Sequence, residues 1–389
     1  MVQRLQRFVP CPHHAPLCNI VLKLIKNLTF DSEVRKQMDS LGYIPRIVTL
    51  LKEAPFRSSA IEILYQLSIE DKCKSTFTYT ECIPIINLMI INFPEPIVRE
   101  EIMALAINLA ANQRNADIFS YDGQLERIIR RALKTSDVLL MKLVRNISGA
   151  SNSSFIQETL ELFASDFIHI VCEDGDPNFQ IEVLGTLTNV ELDEGWAEVV
   201  KTTPILDYIM KNLVVGYAED DFTLECIILV GTILSSDKCA LVVAKSMIIK
   251  LLHNLLSEKQ EDDELVLQIM FDFYKTLLFQ ETRVIVLEHT QVIKYLMELL
   301  QDKNPRIRKM ADSVMELAQE FDSQWLEEIR LRRFQLFNQD WIKAIEQLDE
   351  AEYGEEEGEG EEEEEEDDKD ADWEGWGADR MWGYGNEEG

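Results

Sequence analysis

SSAIEILYQLSI, residues 58–69, ends in an order of positions (apolar, variable, small or polar, apolar) that recurs along the chain. LIKNLT (24–29), LYQLSI (64–69), AINLAA (106–111), VRNISG (144–149), LGTLTN (184–189) and VGTILS (230–235) share it. Their late aliphatic residues Leu28, Leu67, Leu109, Ile147, Leu187 and Ile233 stand 39, 42, 38, 40 and 46 positions apart. YKTLLF, with Leu277, and MELAQE, with Leu317, extend the series at spacings of 44 and 40, which gives about eight units. A fixed period of about 20 to 50 residues is the sequence mark of a repeat array, because each unit is one supersecondary element stacked on the next.

One unit, Phe30 to Glu70, reads as three helices. Asp31 is placed to cap a short first helix ending near Gly42, a residue suited to a left-handed cap. Pro45 falls in the first turn of a second helix, where proline is tolerated, and Ile44, Ile47, Val48 and Leu51 have the i, i+3, i+4, i+7 spacing of an amphipathic face. Pro55 breaks the chain, and residues 58–69 supply the third helix with Ile61, Leu64 and Leu67 toward a core. CIPIINLMI, GQLERIIRRAL, TPILDYIMKNL, SMIIKLLHNLL and TQVIKYLMELL repeat the second-helix pattern, and no stretch alternates with period two, so the expected class is all-α. A unit this small leaves its helices half covered; stacking on its neighbours closes the core and lines a long concave surface with the third helices.

Composition narrows the function. The 389 residues are 46% hydrophobic and 28% charged, enough for two ordinary domains or one extended array. The seven cysteines, Cys11, Cys18, Cys73, Cys82, Cys172, Cys226 and Cys239, are odd in number and scattered, which points to a reducing compartment rather than a disulfide framework. Asn27, Asn146 and Asn152 head Asn-x-Ser/Thr triplets, which matter only in a secreted chain. No apolar run approaches the length of a membrane span, so direct membrane insertion is not expected. The net charge of −33 is mostly a tail: residues 349–389 hold 21 Asp/Glu against 2 Lys/Arg, a net of −19, leaving −14 for the rest. Neither part has the basic surplus that phosphate neutralisation demands, so nucleic acid is not an expected partner.

Catalysis and cofactors find no support. Cys11, His13, His14 and Cys18 are the one cluster resembling metal ligands, but they lack paired C-x2-C spacing, and no metal is expected. His169, His253 and His289 have no nucleophile motif beside them, and no G-x-x-x-x-G-K-[ST] string is present for a nucleotide. The organisation expected is a Pro-rich segment (1–19), repeats (20–320), an aromatic-rich helical cap (321–348) and a disordered Glu/Gly/Trp tail (349–389).

Triple-helix units of about forty residues with an L-x-N-L-like third helix resemble armadillo repeats, which implies a right-handed superhelical solenoid of about eight repeats. The segments FDSEVRKQMDSLGYIP (30–45), INLAANQRN (107–115), AEDDFTLECIILVGTI (218–233), AKSMIIKLLHNLLSEKQEDDELVLQIMFDFY (244–274), DKNPRIRKM (302–310) and RRFQLFNQDWIKAIE (332–346) are similar, in order, to the kinesin-associated protein family, the non-motor subunit of heterotrimeric kinesin-2. The resemblance implies a cytoplasmic, non-catalytic adaptor that binds the tails of two kinesin-2 motor chains and links them to cargo adaptor proteins, in microtubule-based and intraflagellar transport, in a cilium or flagellum. The chain lacks the long N-terminal region usual in this family and its tail is atypical, so a fragment of a longer subunit or a late-starting gene model is expected. The alternative is a regulatory armadillo protein or nuclear import carrier binding basic peptides, against which the repeats lack a W-x-x-x-N array.

The resemblance to armadillo repeats places Asn27, Gln66, Asn108 and Asn146 on the concave groove, followed by Thr186, Thr232 and Thr276 at the same position of later units. There their amides would clamp an extended peptide, or else bridge neighbouring helices within the stack. Arg114, Arg130, Arg131 and Arg145 lie near in sequence, either to attract acidic partner segments or as a solvated face. Trp325, Phe334, Phe337 and Trp341 read first as part of a cap on the open end of the array and, compatibly with that, as docking candidates, and Trp373, Trp376 and Trp382, with Tyr384, could form an acidic-aromatic motif or belong to a merely solubilising tail. Because the tail has no aliphatic core residues, deleting 349–389 is expected to leave the helical circular-dichroism signal and its melting midpoint in place; a collapse of that signal would contradict the division.

Overall fold

Aspartate or asparagine starts several of these helices, and glycine turns the chain between two pairs of them. In the computed structural model, which describes residues 1–10, 14–321, 323–339 and 341–345, Asp31 accepts a hydrogen bond from the Val34 amide (3.0 Å) and begins helix Ser32–Ser40. Asn112, Asp137, Asp176, Ser236 and Asp262 cap their helices in the same way, each satisfying an amide that has no partner inside its helix. Gly42 (φ 71°) and Gly123 (φ 69°) take the left-handed turn between first and second helices, a conformation strained for any residue with a Cβ.

Eight long helices recur at the third position: α1 (Ala15–Leu28), α2 (Arg57–Ser68), α3 (Glu100–Ala110), α4 (Val138–Ala150), α5 (Pro177–Leu187), α6 (Asp220–Ile233), α7 (Asp263–Leu278) and α8 (Pro305–Phe321). Each packs on the next, forming a ladder. Outside it, first helices pack on first helices, as Asp237–Lys245 does on Gln280–His289, and second on second, as Cys82–Ile91 does on Gln124–Thr135. The chain divides into two units, Met1–Ile329 and one beginning at Arg330, and the ladder lies wholly in the first. Among the described residues there is no strand, and no single helix is long and apolar enough to cross a membrane. The fold is the armadillo-type solenoid that the period implies, with one departure. Before α5 the first and second helices are fused into one helix, Ser154–Cys172. SFIQETLELFASDFIHIVC contains neither glycine nor proline, which lets the helix run on but does not by itself fuse it: Asp237–Lys245 and Ile248–Glu258 lack both residues as well and still break at Ser246, whose hydroxyl accepts from the Ile248 amide (3.1 Å).

The repeated aliphatic residues hold the ladder together. Leu67, Leu109, Ile147, Leu187, Ile233 and Leu277 are fully buried, whereas Leu28 and Leu317, on the end helices, are half-buried. Each buried side chain of this size contributes about 1.5–3 kcal/mol. Residues 349–389, which hold the acidic tail with Trp373, Trp376 and Trp382, lie outside the described residues. Replacing Leu109 or Leu187 by aspartate is expected to lower the melting midpoint sharply, at a cost of about 3–5 kcal/mol, and Leu28→Asp clearly less; equal losses at all three would contradict the ladder.

Candidate partner-binding groove

The polar residues beside the buried aliphatics form a seam in which the rungs from α3 to α7 each reach back to the one before. Asn108 Nδ2 donates to Ser68 Oγ (3.2 Å), Asn146 Nδ2 to the Ile107 carbonyl (3.1 Å), Asn189 Nδ2 to Ser148 Oγ (3.0 Å), Thr232 Oγ1 to the Thr188 carbonyl (2.7 Å) and Lys275 Nζ to the Gly231 carbonyl (2.7 Å). Each such bond contributes about 0.5–1.5 kcal/mol net, rather more for the lysine. Asn108 and Asn146 are half-buried, and the bridging role uses one of each amide's two hydrogens. Gln66 is also half-buried and Asn27 is exposed. Asn189 is absent from the pattern of groove residues read from sequence because it stands two places after Leu187; the signal was the second asparagine-like step in LGTLTN.

Further along, the amides give way to charges laid across glycines. Arg145 on α4 crosses α5 at Gly185, meeting Glu182 (3.5 Å) on α5 and, more closely, Glu225 on α6, while Lys142 pairs with Glu182 at 3.5 Å. One guanidinium thus ties three consecutive ladder helices. A methyl group at position 185 would collide with it. Glu225 is buried, with one oxygen unpartnered; burial pushes its carboxyl upward and Arg145 pulls it back only in part. At the equivalent Gly231 an added Cβ would fall 2.7 Å from Oδ1 of Asp272, on α7. Neither oxygen of this fully enclosed carboxyl has a hydrogen bond, and burial raises its titration well above the ordinary value, against the lowering influence of Lys275.

Where α4 to α7 end, Ser148, Asn152, Thr188, Asn189, Thr232 and Lys275 contribute to a mostly polar cavity of about 520 Å³. The other arginines lie elsewhere. Arg114, on helix Gln113–Ser120 of the outer layers, donates to Tyr79 Oη (3.1 Å). Arg130 pairs with Glu126 (2.8 Å) and lies over the Phe163 ring. Arg131 spans the loop before α3, donating to the carbonyls of Phe93 (3.0 Å) and Pro96 (3.3 Å). Of the C-terminal aromatics, Trp325 packs against the core of the first unit. Phe334, Phe337 and Trp341, in the second unit, are exposed. Burial pushes the Cys172 thiol up to about 11 and Cys73 to about 12, so both are protonated at neutral pH and behave as small apolar groups. Cys18 is buried, and Cys11 and His13 lie outside the described residues.

Asp272 makes stability pH-dependent. The folded chain holds its proton more tightly than the unfolded chain, so this contribution is complete below the ordinary value of 3.8 and is lost as pH rises toward the raised folded value. Asp272→Asn is expected to flatten that decline, which runs at about 1.4 kcal/mol per pH unit. Melting midpoints measured from about pH 4 to pH 8 should converge at the acid end and favour the variant at the alkaline end; parallel curves would show that Asp272 does not titrate in this range.

The fold has solved counterparts. An engineered protein from the Northeast Structural Genomics Consortium superposes with a TM-score of 0.66 at 13% identity, over 85% of this chain and 81% of that one. A structure from work on a conserved phosphorylation switch controlling the interaction between cadherin and beta-catenin gives 0.57 at 16% identity, over 83% of this chain and 68% of that one. At these identities the likeness concerns the fold alone. The sequence signature of the kinesin-associated protein (KAP) family matches residues 1–373, nearly the whole length, and the chain belongs to that family.

Proposed function

We propose that this chain is the non-motor accessory subunit of a heterotrimeric kinesin-2, an adaptor that binds the tails of two motor chains and connects them to cargo adaptor proteins. The observation that carries this reading is the family match over residues 1–373. The ladder supports it physically. A seam of amides, hydroxyls and one lysine runs along α2 to α7 beside a cavity of about 520 Å³. Such a surface suits a long polypeptide segment better than a compact small molecule, because each rung adds only a small increment and several must be engaged together. The exposed aromatics Phe334, Phe337 and Trp341 offer anchors of the kind that dominate protein interfaces. The work of the complex is then microtubule-based movement in the cytoplasm, including intraflagellar transport in a cilium or flagellum. The chain contributes binding and no ATP turnover.

Purification of the chain from its native cells under mild salt, followed by mass spectrometry, is expected to recover two kinesin-2 motor chains in equal amounts. Recovery of import factors or nuclear cargo without any motor would overturn the adaptor reading while leaving the solenoid in place.

A further inference from the structure

A second cavity, of about 490 Å³, opens on the outer layers, away from the ladder. Pro84, Asn87 and Leu88 of helix Cys82–Ile91 form one wall, Asp117 and Ile118 of helix Gln113–Ser120 another, and Tyr121, Asp122, Gln124 and Phe155 complete it. None of these residues belongs to a ladder helix.

Three features of this cavity are unusual for a solvated surface. Leu88 (53% exposed), Tyr121 (75%) and Phe155 (39%) present apolar area to water around one opening, which is the arrangement of a docking site rather than of scattered surface residues. Asn87 is only 3% exposed; its Nδ2 donates to the Phe119 carbonyl (2.9 Å), but its Oδ1 has no donor, and Gln124 Oε1 is likewise buried without one. Unsatisfied buried acceptors are costly, so two in the walls of one cavity point to donors supplied from outside. The charged residues lining it, Asp117 and Asp122, are both acidic, and no lysine or arginine among the described residues lines it. Asp117 already accepts from Ser151 Oγ (2.6 Å), which fixes its carboxylate in place.

We propose that this outer cavity binds a short basic-apolar segment of a partner protein, with a large aliphatic or aromatic side chain between Leu88, Tyr121 and Phe155 and an adjacent lysine or arginine facing Asp117 and Asp122. A cation of this kind supplies N–H donors for the acceptors of Asn87 and Gln124 as well as charge for the carboxylates. An acidic segment would bring like charge against both aspartates. The proposal does not depend on the partner being a motor chain, since it rests on residues outside the ladder.

The test is selection of a phage-displayed library of random twelve-residue peptides on the folded full-length chain, with counter-selection on Leu88→Lys, which changes an exposed position and places a repelling charge at the opening. Enriched peptides should carry an aliphatic or aromatic residue beside lysine or arginine. Their synthetic forms should bind at least about tenfold more weakly to Leu88→Lys and to Asp117→Asn/Asp122→Asn than to the unaltered chain. On binding they should slow amide hydrogen exchange across residues 113–124. Circular dichroism of the variants separates loss of binding from loss of folding. Basic peptides held equally by all three proteins would locate the attraction elsewhere on this acidic chain and overturn the proposal. Enrichment of acidic tryptophan-containing peptides would point instead to the chain's own tail, and concentration-dependent self-association abolished by Leu88→Lys would point to a second copy; either result overturns it.

Discussion

Every inner ladder helix has to be buried on more than one face at once, and its own unit of some forty residues covers only the face that meets its own outer helices. This constraint fixes what the sequence is free to do. Leu67, Leu109, Ile147, Leu187, Ile233 and Leu277 cannot be polar, because each lies between its own unit and a neighbour. The residues beside them cannot all be apolar either, because the helices are close enough that a polar atom on one needs a partner on the next. The seam running from Asn108 to Lys275 meets that second demand. Its donors point back toward the preceding helix, so each rung is completed by the one that follows.

The two glycines show how the same demand is met by other chemistry. At α2 to α4 the gap between helices is bridged by an amide; at α5 and α6 the side chain is removed altogether, and a charged group from a neighbouring helix occupies the space. Arg145 over Gly185 has two buried carboxylates to neutralise and reaches both. At Gly231 the balance is poorer: Lys275 donates to the Gly231 carbonyl, leaving the Asp272 oxygens without a hydrogen bond. A buried carboxyl left in this way weakens the stack when ionised, which ties the packing of α6 on α7 to proton concentration.

Much of this was legible in the sequence, for a physical reason: stacking imposes its requirement at the same place in every unit, so a one-dimensional period carries the three-dimensional core. The cap at Asp31, the turn at Gly42 and the third helix through Leu67 follow from local chemistry and need no tertiary information. The fused helix Ser154–Cys172 was not legible, since residues 237–258 also lack glycine and proline and still form two helices. Contacts between units were not legible. Nothing in the spacing of Arg131 says that it fastens the loop before α3, or that Arg145 is consumed by Glu182 and Glu225 rather than standing free on the groove. The outer cavity was hidden for the same reason, since its walls come from residues 84–88, 117–124 and 155, which share no motif.

Placing polar seam and apolar cavity on different layers has a consequence for assembly. On these two proposals a partner on the ladder and a partner on the outer layers would not compete for the same residues, so one stack could hold both at once. The second is then bound at an effective concentration set by the first whenever the two partners are themselves connected. A solenoid suits this use because its stability is built from contacts between neighbouring units. Surface positions such as Leu88 and Tyr121 can therefore change with the partner while the ladder beneath them keeps its register.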